Sequence, residues 1–373
     1  MYTLPQAITT YIHDHNEDLI DLICTVSSII SPTGQEAHKA HWICQYLHDH
    51  GAAEAYIDDG GNVIYPYHVT APKVLLYNAH MDTVFAQVKE ITPIKDGHIL
   101  RAPSCGDNSA DVAALLFIVT MFLQLGITIP GGIYIAFNVG EEGFGNLKGI
   151  RHIMKHLKDN LSGVVAVDGA MDEFVNVAVG SRRYGVTVEA AGGHSYGNFG
   201  NTNALAISAD IIHDLYQLHV PQTPKTTYNI GTLSGGQTVN SIAAHAEFTI
   251  DLRSESMTEL EKIDATFLAI LKRYAQPTVT ITPTLLGERP CSDGLAKNPL
   301  ADRIVAIRKA KGLSTPFFAA STDANIPLHL GIPAIAFSMY RGDGAHTLGE
   351  WLDMASLEEG MTQLLTFMLY SEI

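Results

Sequence analysis

Positive charge is scarce in this 373-residue chain: Lys and Arg number 23 against 39 Asp and Glu, a formal charge of −16 at pH 7. A surface of that sign repels nucleic acid and anionic membrane, so both are set aside as partners. Metal ions and cationic ligands stay open. Cysteine is scarcer still. Cys24, Cys44, Cys105 and Cys291 are scattered, with no CxxC pair. That excludes a disulfide scaffold and points to a reducing, cytoplasmic compartment. The N-terminal "MYTLPQAITTYIHDHNEDLIDLIC" lacks a basic stretch followed by an apolar one and does not read as a signal peptide. Repeats of solenoid period and low-complexity tracts are lacking too. One apolar run, "VAALLFIVTMFLQLGITIP" at 112–130, approaches the ~20 residues of a membrane span. Gln124 and Gly126 interrupt it and a strand pattern follows at once. It reads as a fully buried helix.

What the chain does have is apolar material, 46% of its residues. That is enough for a large core and more than one core usually absorbs, so two domains are expected. The pattern predicts helices near 5–30 and 36–50, strands near 54–58, 62–66 and 73–79, and a helix at about 109–125. A strand at 132–139, a helix at 147–157 and the strand "GVVAVD" at 163–168 follow. Strands alternating with helices argue for a layered α/β sheet. From about 182 to 289 the texture changes to β-α-β-β-α-β, the order of a ferredoxin-like α+β unit. After 290 the α/β texture returns with helices at 298–311 and 357–371. The expected architecture is therefore a layered catalytic domain with a mixed sheet (1–181 and 290–373), interrupted by an inserted ferredoxin-like domain (182–289).

Polar residues gather where the apolar strands end. "FNVGEEGFGN" follows the buried strand "GGIYIAF" with two adjacent acids, Glu141 and Glu142. A buried strand tolerates that only if positive charge waits beside it. "KVLLYNAHMDTV" ends in His80 and Asp82, "SCGDNSAD" places Asp107 before the buried helix, "VVAVDGA" ends in Asp168, and "GDGAHTLGEW" supplies His346. Singly, each has an ordinary explanation: a turn former, a helix cap, a surface histidine. Together they stand at the strand edge where open α/β sheets bind ligands. The positive charge that such a set of acids needs would be a divalent metal, in two copies.

The ordered set HxD, GD, EEG, strand-end D and late H resembles the M20 family of metallopeptidases and amidohydrolases, over nearly the whole chain. The resemblance implies specific roles. His80 and Asp168 would ligate one metal, Glu142 and His346 the second, and Asp107 would bridge both. Asp82 would hold the His80 imidazole by its other nitrogen, and Glu141 would be the general base. A cis peptide would join Asp107 to Asn108. Within the inserted lid, His194 in "AGGHSYGN" would stabilise the oxyanion, often from a partner subunit. Asn240 in "GGQTVNSIAAHAEF" and Arg253 in "FTIDLRS" would hold a substrate carboxylate or carbonyl. For Arg253, pairing with Asp251 or Glu255 is the ordinary alternative. A homodimer through the lid is implied.

The chain departs from the family pattern twice. "GDNSAD" has Asn108 where relatives carry a second acid. "AASTDA", residues 319–324, lacks the arginine of the R-G-G-T-D loop of peptidase T-like aminopeptidases, and Arg341 is the nearest candidate replacement. Three readings follow. The first is a dinuclear aminopeptidase or dipeptidase, with zinc as the expected metal and cobalt or manganese as alternatives. The second is an N-acyl-amino-acid deacylase on the same scaffold. The third is a non-catalytic metal-binding protein.

Overall fold

The computed structural model describes residues 2–292 and 294–370. It divides into two compact units, Met1–Ala178 with Gly294–Ile373, and Val179–Asp293.

The first unit is built on an eight-stranded mixed sheet. Its order is Tyr56–Ile57, Val63–Tyr67, Ile133–Asn138, Val74–His80, Leu161–Val167, Ala334–Phe337, Phe174–Ala178 and Phe317–Ala320. The four strands from Ile133–Asn138 to Ala334–Phe337 are mutually parallel, so their carboxyl ends share one edge. Both faces are covered, and the strands alternate between them with period two. Tyr77, Ala79, Ile135, Phe137, Val165, Val167, Ile335 and Phe337 join the cluster that includes the helices Gln6–Asp14, Asn16–Ser28, Ala37–Asp49, Asp111–Leu125, Pro299–Ala310 and Leu357–Leu369. Leu76, Ala136, Val164, Ala166, Ala334 and Ala336 face the other way, against Lys148–Leu157 and Asn325–His329. The crowded face takes mostly large residues and the thinner face takes many alanines.

The run expected to be buried is the helix Asp111–Leu125, every residue of which from Asp111 to Phe122 is buried. Gly126 ends it in the left-handed conformation at φ 62°, which a side chain would strain. Among the described residues no helix is long and apolar enough to cross a membrane.

The helix expected over 5–30 is two helices, broken at His15, whose φ of −112° and ψ of 19° leave the helical region. The reason is local. His15 Nδ1 lies 2.7 Å from Asp18 Oδ2, and Glu17 and Asp18 occupy the next first turn, where acids favour a new helix start. A small sheet was not foreseen at all. Arg341–Asp343, Trp351–Asp353, Ile99–Arg101 and Ile94–Asp96 pair in that order.

The second unit is a four-stranded antiparallel sheet, ordered Thr226–Gly235, His245–Ser254, Gly180–Ala190 and Val279–Arg289. Its helices Ala204–Leu215 and Met257–Tyr274 pack with the strands in one core around Val186, Val188, Phe248, Ile250 and Phe267. Asn203 starts the first helix by accepting the Leu205 and Ala206 N–H groups. Chain order and strand order together make this unit ferredoxin-like.

Candidate metal centre

The parallel strands of the first unit deliver their polar ends to one edge. His80 closes Val74–His80, Asp168 follows Leu161–Val167, and Glu141 and Glu142 follow Ile133–Asn138, which pairs with Val74–His80. Asp107 and His346 arrive by another route. The small sheet pairs Ile99–Arg101, which leads into the Asp107 loop, with Trp351–Asp353, which leaves the His346 loop. His346 itself is at φ 65°. Glu350 then ties the two loops together. Its carboxylate accepts the N–H groups of Ser104 (2.7 Å), Gly106 (2.9 Å) and Asp107 (2.7 Å).

The result is tight. His80 Nε2 lies 3.0 Å from Asp107 Oδ1 and 4.0 Å from Asp168 Oδ1. His346 Nε2 lies 2.8 Å from Glu142 Oε1 and 3.1 Å from Asp107 Oδ2. Asp107 thus turns one oxygen toward each histidine. The triads His80, Asp107, Asp168 and Asp107, Glu142, His346 each have ligand atoms within 4.8 Å of one another, as does a third, His80, Glu141, Glu142. Imidazole with carboxylate is a donor set that suits zinc, cobalt or manganese. The residues present therefore fit a divalent metal. The Asp107–Asn108 peptide is cis.

The charges bear on one another strongly. Burial opposes ionisation of Asp107, but hydrogen bonds with His346 and His80 outweigh it and hold the carboxyl low. Hydrogen bonds with Asp107 and Glu142 push His346 up to about 10. Burial, which would lower His80, is outweighed by hydrogen bonds with Asp107 and Asp82. Burial raises Asp168 to about 6 and also raises Glu142. Acids crowded out of water in this way favour added positive charge.

Asp82 faces both the His80 ring and the two-glutamate loop. His80 Nδ1 meets the Asp82 main-chain carbonyl at 3.1 Å, with the carboxylate at 3.6 Å. The Asp82 carboxylate also accepts the N–H groups of Glu141 (3.0 Å) and Glu142 (2.8 Å) and the Thr33 hydroxyl (2.9 Å). It is the anchor of the two-glutamate loop. Arg341 is not a free cation either. Asp172 and Glu359 each hold it at 2.8 Å.

Three residues in the second unit were expected to meet substrate. His194 and Asn240 are neighbours there: Gly193–His194 pairs with Ser241–Ile242, and Ser195 N–H donates to the Asn240 carbonyl. The His194 Nδ1 accepts the Tyr196 and Gly197 N–H groups at 3.3 and 3.2 Å, so a neutral ring carries its proton on Nε2. Arg253 lies on the strand His245–Ser254, eight positions beyond His245, roughly 25 Å along it. Its Nε donates to Asp251 at 2.7 Å, the ordinary pairing.

Several residues behind the site escaped the sequence. Asp323 accepts the Asn78 and Asn138 side-chain amides at 2.9 and 2.7 Å, and burial raises its carboxyl to about 8. Asp111 accepts the Ser338 hydroxyl and the Met339 N–H. A lone acid inside the apolar segment "TDANIPLHLGIPAIAF" was the available signal for Asp323. Nothing local marks Glu350.

Residues 76–370 match the profile of Peptidase family M20/M25/M40. No curated protein matches the chain. Among solved structures, an aminopeptidase of Bacillus cereus superposes with a TM-score of 0.76 at 19% identity, over 95% of this chain and 98% of its own. A tripeptidase of Staphylococcus aureus gives 0.76 at 21%, over 95% and 97%. A dinuclear metal-binding M20 peptidase of Bacillus subtilis gives 0.66 at 12%, over 96% and 98%. At these identities the likeness establishes a common fold.

Proposed function

The chain belongs to Peptidase family M20/M25/M40, a hydrolase acting on amide bonds, and on that premise we propose that it is a dinuclear aminopeptidase or dipeptidase that cleaves a small peptide. The observation that carries the reading is Asp107, whose two oxygens face His80 and His346 separately. One divalent ion would be held by His80, Asp107 and Asp168, the second by Glu142, Asp107 and His346; zinc is the proposed metal. Bound there, such ions polarise the substrate carbonyl and bring the pKa of water from ~15.7 toward ~7.

The protein's own groups do the rest. Glu141 takes a proton from the attacking water onto its carboxylate and returns it to the leaving nitrogen, so that one water is consumed per amide cleaved. Asp82 positions it by holding its main-chain N–H. Glu141 is only 5% exposed, which keeps bulk water from competing for that proton. His194, with its Nε2–H as donor, would stabilise the oxyanion, and Asn240 and Arg253 would orient the substrate.

His194 and Arg253 stand far apart in one subunit. One small substrate meets both only if two copies contribute, which supports a homodimer through the lid. The outer edge of Thr226–Gly235 has no strand partner among the described residues, and edge pairing across a two-fold axis would use it. The four cysteines are free, in keeping with a cytoplasmic setting.

Two measurements test the reading. A panel of free-amine dipeptides and tripeptides against N-acetylated amino acids should show turnover of the first group. Turnover confined to the second would make the protein a deacylase, and metal-loaded protein inert toward both would overturn an amide hydrolase. Mixing His194→Ala with Glu141→Gln chains should restore part of the activity. Exchange of subunits without recovery would refute donation from a second copy.

A further inference from the structure

A cavity of about 470 Å³ lies beside the metal centre, within the first unit. Its wall takes Gly140 and Gly143, which bracket Glu141 and Glu142, and Thr83, which follows Asp82. It is thus formed by the segments leaving the strands Ile133–Asn138 and Val74–His80, at the edge that carries the ligands. Its volume suits a small ligand. Val84, Ala86 and Phe144 make an apolar wall, and Phe144 is 68% exposed.

One polar side chain in the wall is out of character. Glu36 is 7% exposed. Its Oε1 accepts the N–H groups of Gly34 (2.9 Å) and Gly140 (3.1 Å). Its Oε2 has no hydrogen-bond or ion-pair partner among the described residues. That oxygen keeps contact with solvent on the cavity side, so a ligand entering there can take the place of its water. The one cation in the wall, Lys148, is exposed, where solvent and salt screen it. The Glu36 oxygen not used by Gly34 and Gly140 therefore sets the preference of the cavity, which is for a cation with an apolar body attached.

We propose that this cavity is the subsite for the substrate's amino-terminal residue, with Glu36 receiving the free ammonium and Val84, Ala86 and Phe144 receiving an apolar side chain. The inference rests on the peptidase reading above and adds the means by which a free-amine peptide is told from an N-acylated one. An acylated nitrogen has no charge and one N–H donor where the ammonium has three, and its acyl group would have to displace solvent from a carboxylate. Discrimination follows because the wrong ligand displaces water from a carboxylate without supplying a charged donor in its place.

The test uses metal-loaded, full-length protein and a probe that does not depend on turnover. Binding of leucinamide and N-acetyl-leucinamide is measured by calorimetry on wild type, Glu36→Gln and Ala86→Trp. Glu36→Gln keeps an oxygen for Gly34 and Gly140 while removing the charge. Wild type should bind leucinamide at least about tenfold tighter than its acetylated form, and Glu36→Gln should erase that difference. Ala86→Trp, at an exposed position, should weaken leucinamide by about tenfold or more and glycinamide much less. No preference in wild type, a preference untouched by Glu36→Gln, or an Ala86→Trp protein that binds leucinamide normally would each overturn the subsite. If Glu36→Gln does not fold, Ala86→Trp decides alone. Hydrolysis of the peptide panel is read separately, so a protein that prefers leucinamide yet cleaves no peptide would sink the peptidase reading and leave the subsite standing.

Discussion

Replacing Glu350 by alanine should damage the metal centre without touching a metal ligand. Glu350 is 2% exposed, and its carboxylate is the acceptor for three main-chain N–H groups, those of Ser104, Gly106 and Asp107. Hydrogen bonds to a charged group are worth about 1.5–3 kcal/mol each, and a stranded buried donor costs about 1–3 kcal/mol. Three such donors set a ceiling near ~9 kcal/mol. Two effects reduce it: burial already pushes the Glu350 carboxyl up to about 7, so its removal relieves a desolvation cost, and water can enter the space left. A net loss of about 2–5 kcal/mol in folding stability is expected. The Asp107 N–H is one of the three, so Asp107 should shift as well, lowering metal affinity by about 10–100-fold. Urea unfolding gives the first number and metal titration of the chelator-treated protein gives the second. Glu350→Gln retains the acceptor for Gly106 and Asp107 but turns an amide NH₂ toward Ser104 N–H, and should fall between wild type and alanine. An alanine variant with wild-type stability and metal affinity would show that Glu350 does not hold the Asp107 loop.

Glu141→Gln should keep its metal while turnover falls by about 10²–10⁴; normal turnover would remove Glu141 from the proton transfers. Asp107→Ala should lose metal by elemental analysis, since both proposed ion sites use it, and a variant that retained two ions would contradict the bridge. Lys39 is 2% exposed, and burial lowers its pKa from 10.5 to about 8. Between those values the unfolded chain holds a proton that the folded one does not, so stability should rise with pH across that window. Below pH 8 the buried charge costs roughly 3 kcal/mol. Lys39→Met should therefore be more stable than wild type at pH 7 in urea unfolding, with the gain shrinking as pH rises above 8. A gain independent of pH would place the effect in packing instead of charge.

Much of this protein was readable in the sequence alone. The strands and helices announced themselves by periodicity, because a strand covered on both faces must be apolar throughout and a helix buried on all sides, such as Asp111–Leu125, must be apolar all round. His80, Asp107, Glu141, Glu142, Asp168 and His346 were visible because charges that end apolar strands are costly without a purpose. The β-α-β-β-α-β order of the second unit was also local information. Tertiary structure decided what depended on strands and loops distant in sequence. Sheet order set Ile133–Asn138 beside Val74–His80, and only that adjacency lets the Asp82 carboxylate, besides facing His80, reach the Glu141 and Glu142 amides and so become a loop anchor. The short strands of the small sheet have three residues each, too few to carry a periodic signal, yet their pairing brings Glu350 under Asp107 and His346 beside it. Arg341 looked available until Asp172 and Glu359, 169 and 18 positions away, closed on it. Asp323 read as an ordinary acid until folding took it out of water, and Glu36 until folding set it in a cavity wall. Periodicity reports which face of an element is buried. It does not report which buried carboxylate will find a donor from the far end of the chain, because that is settled by contacts that exist only once the sheet has assembled.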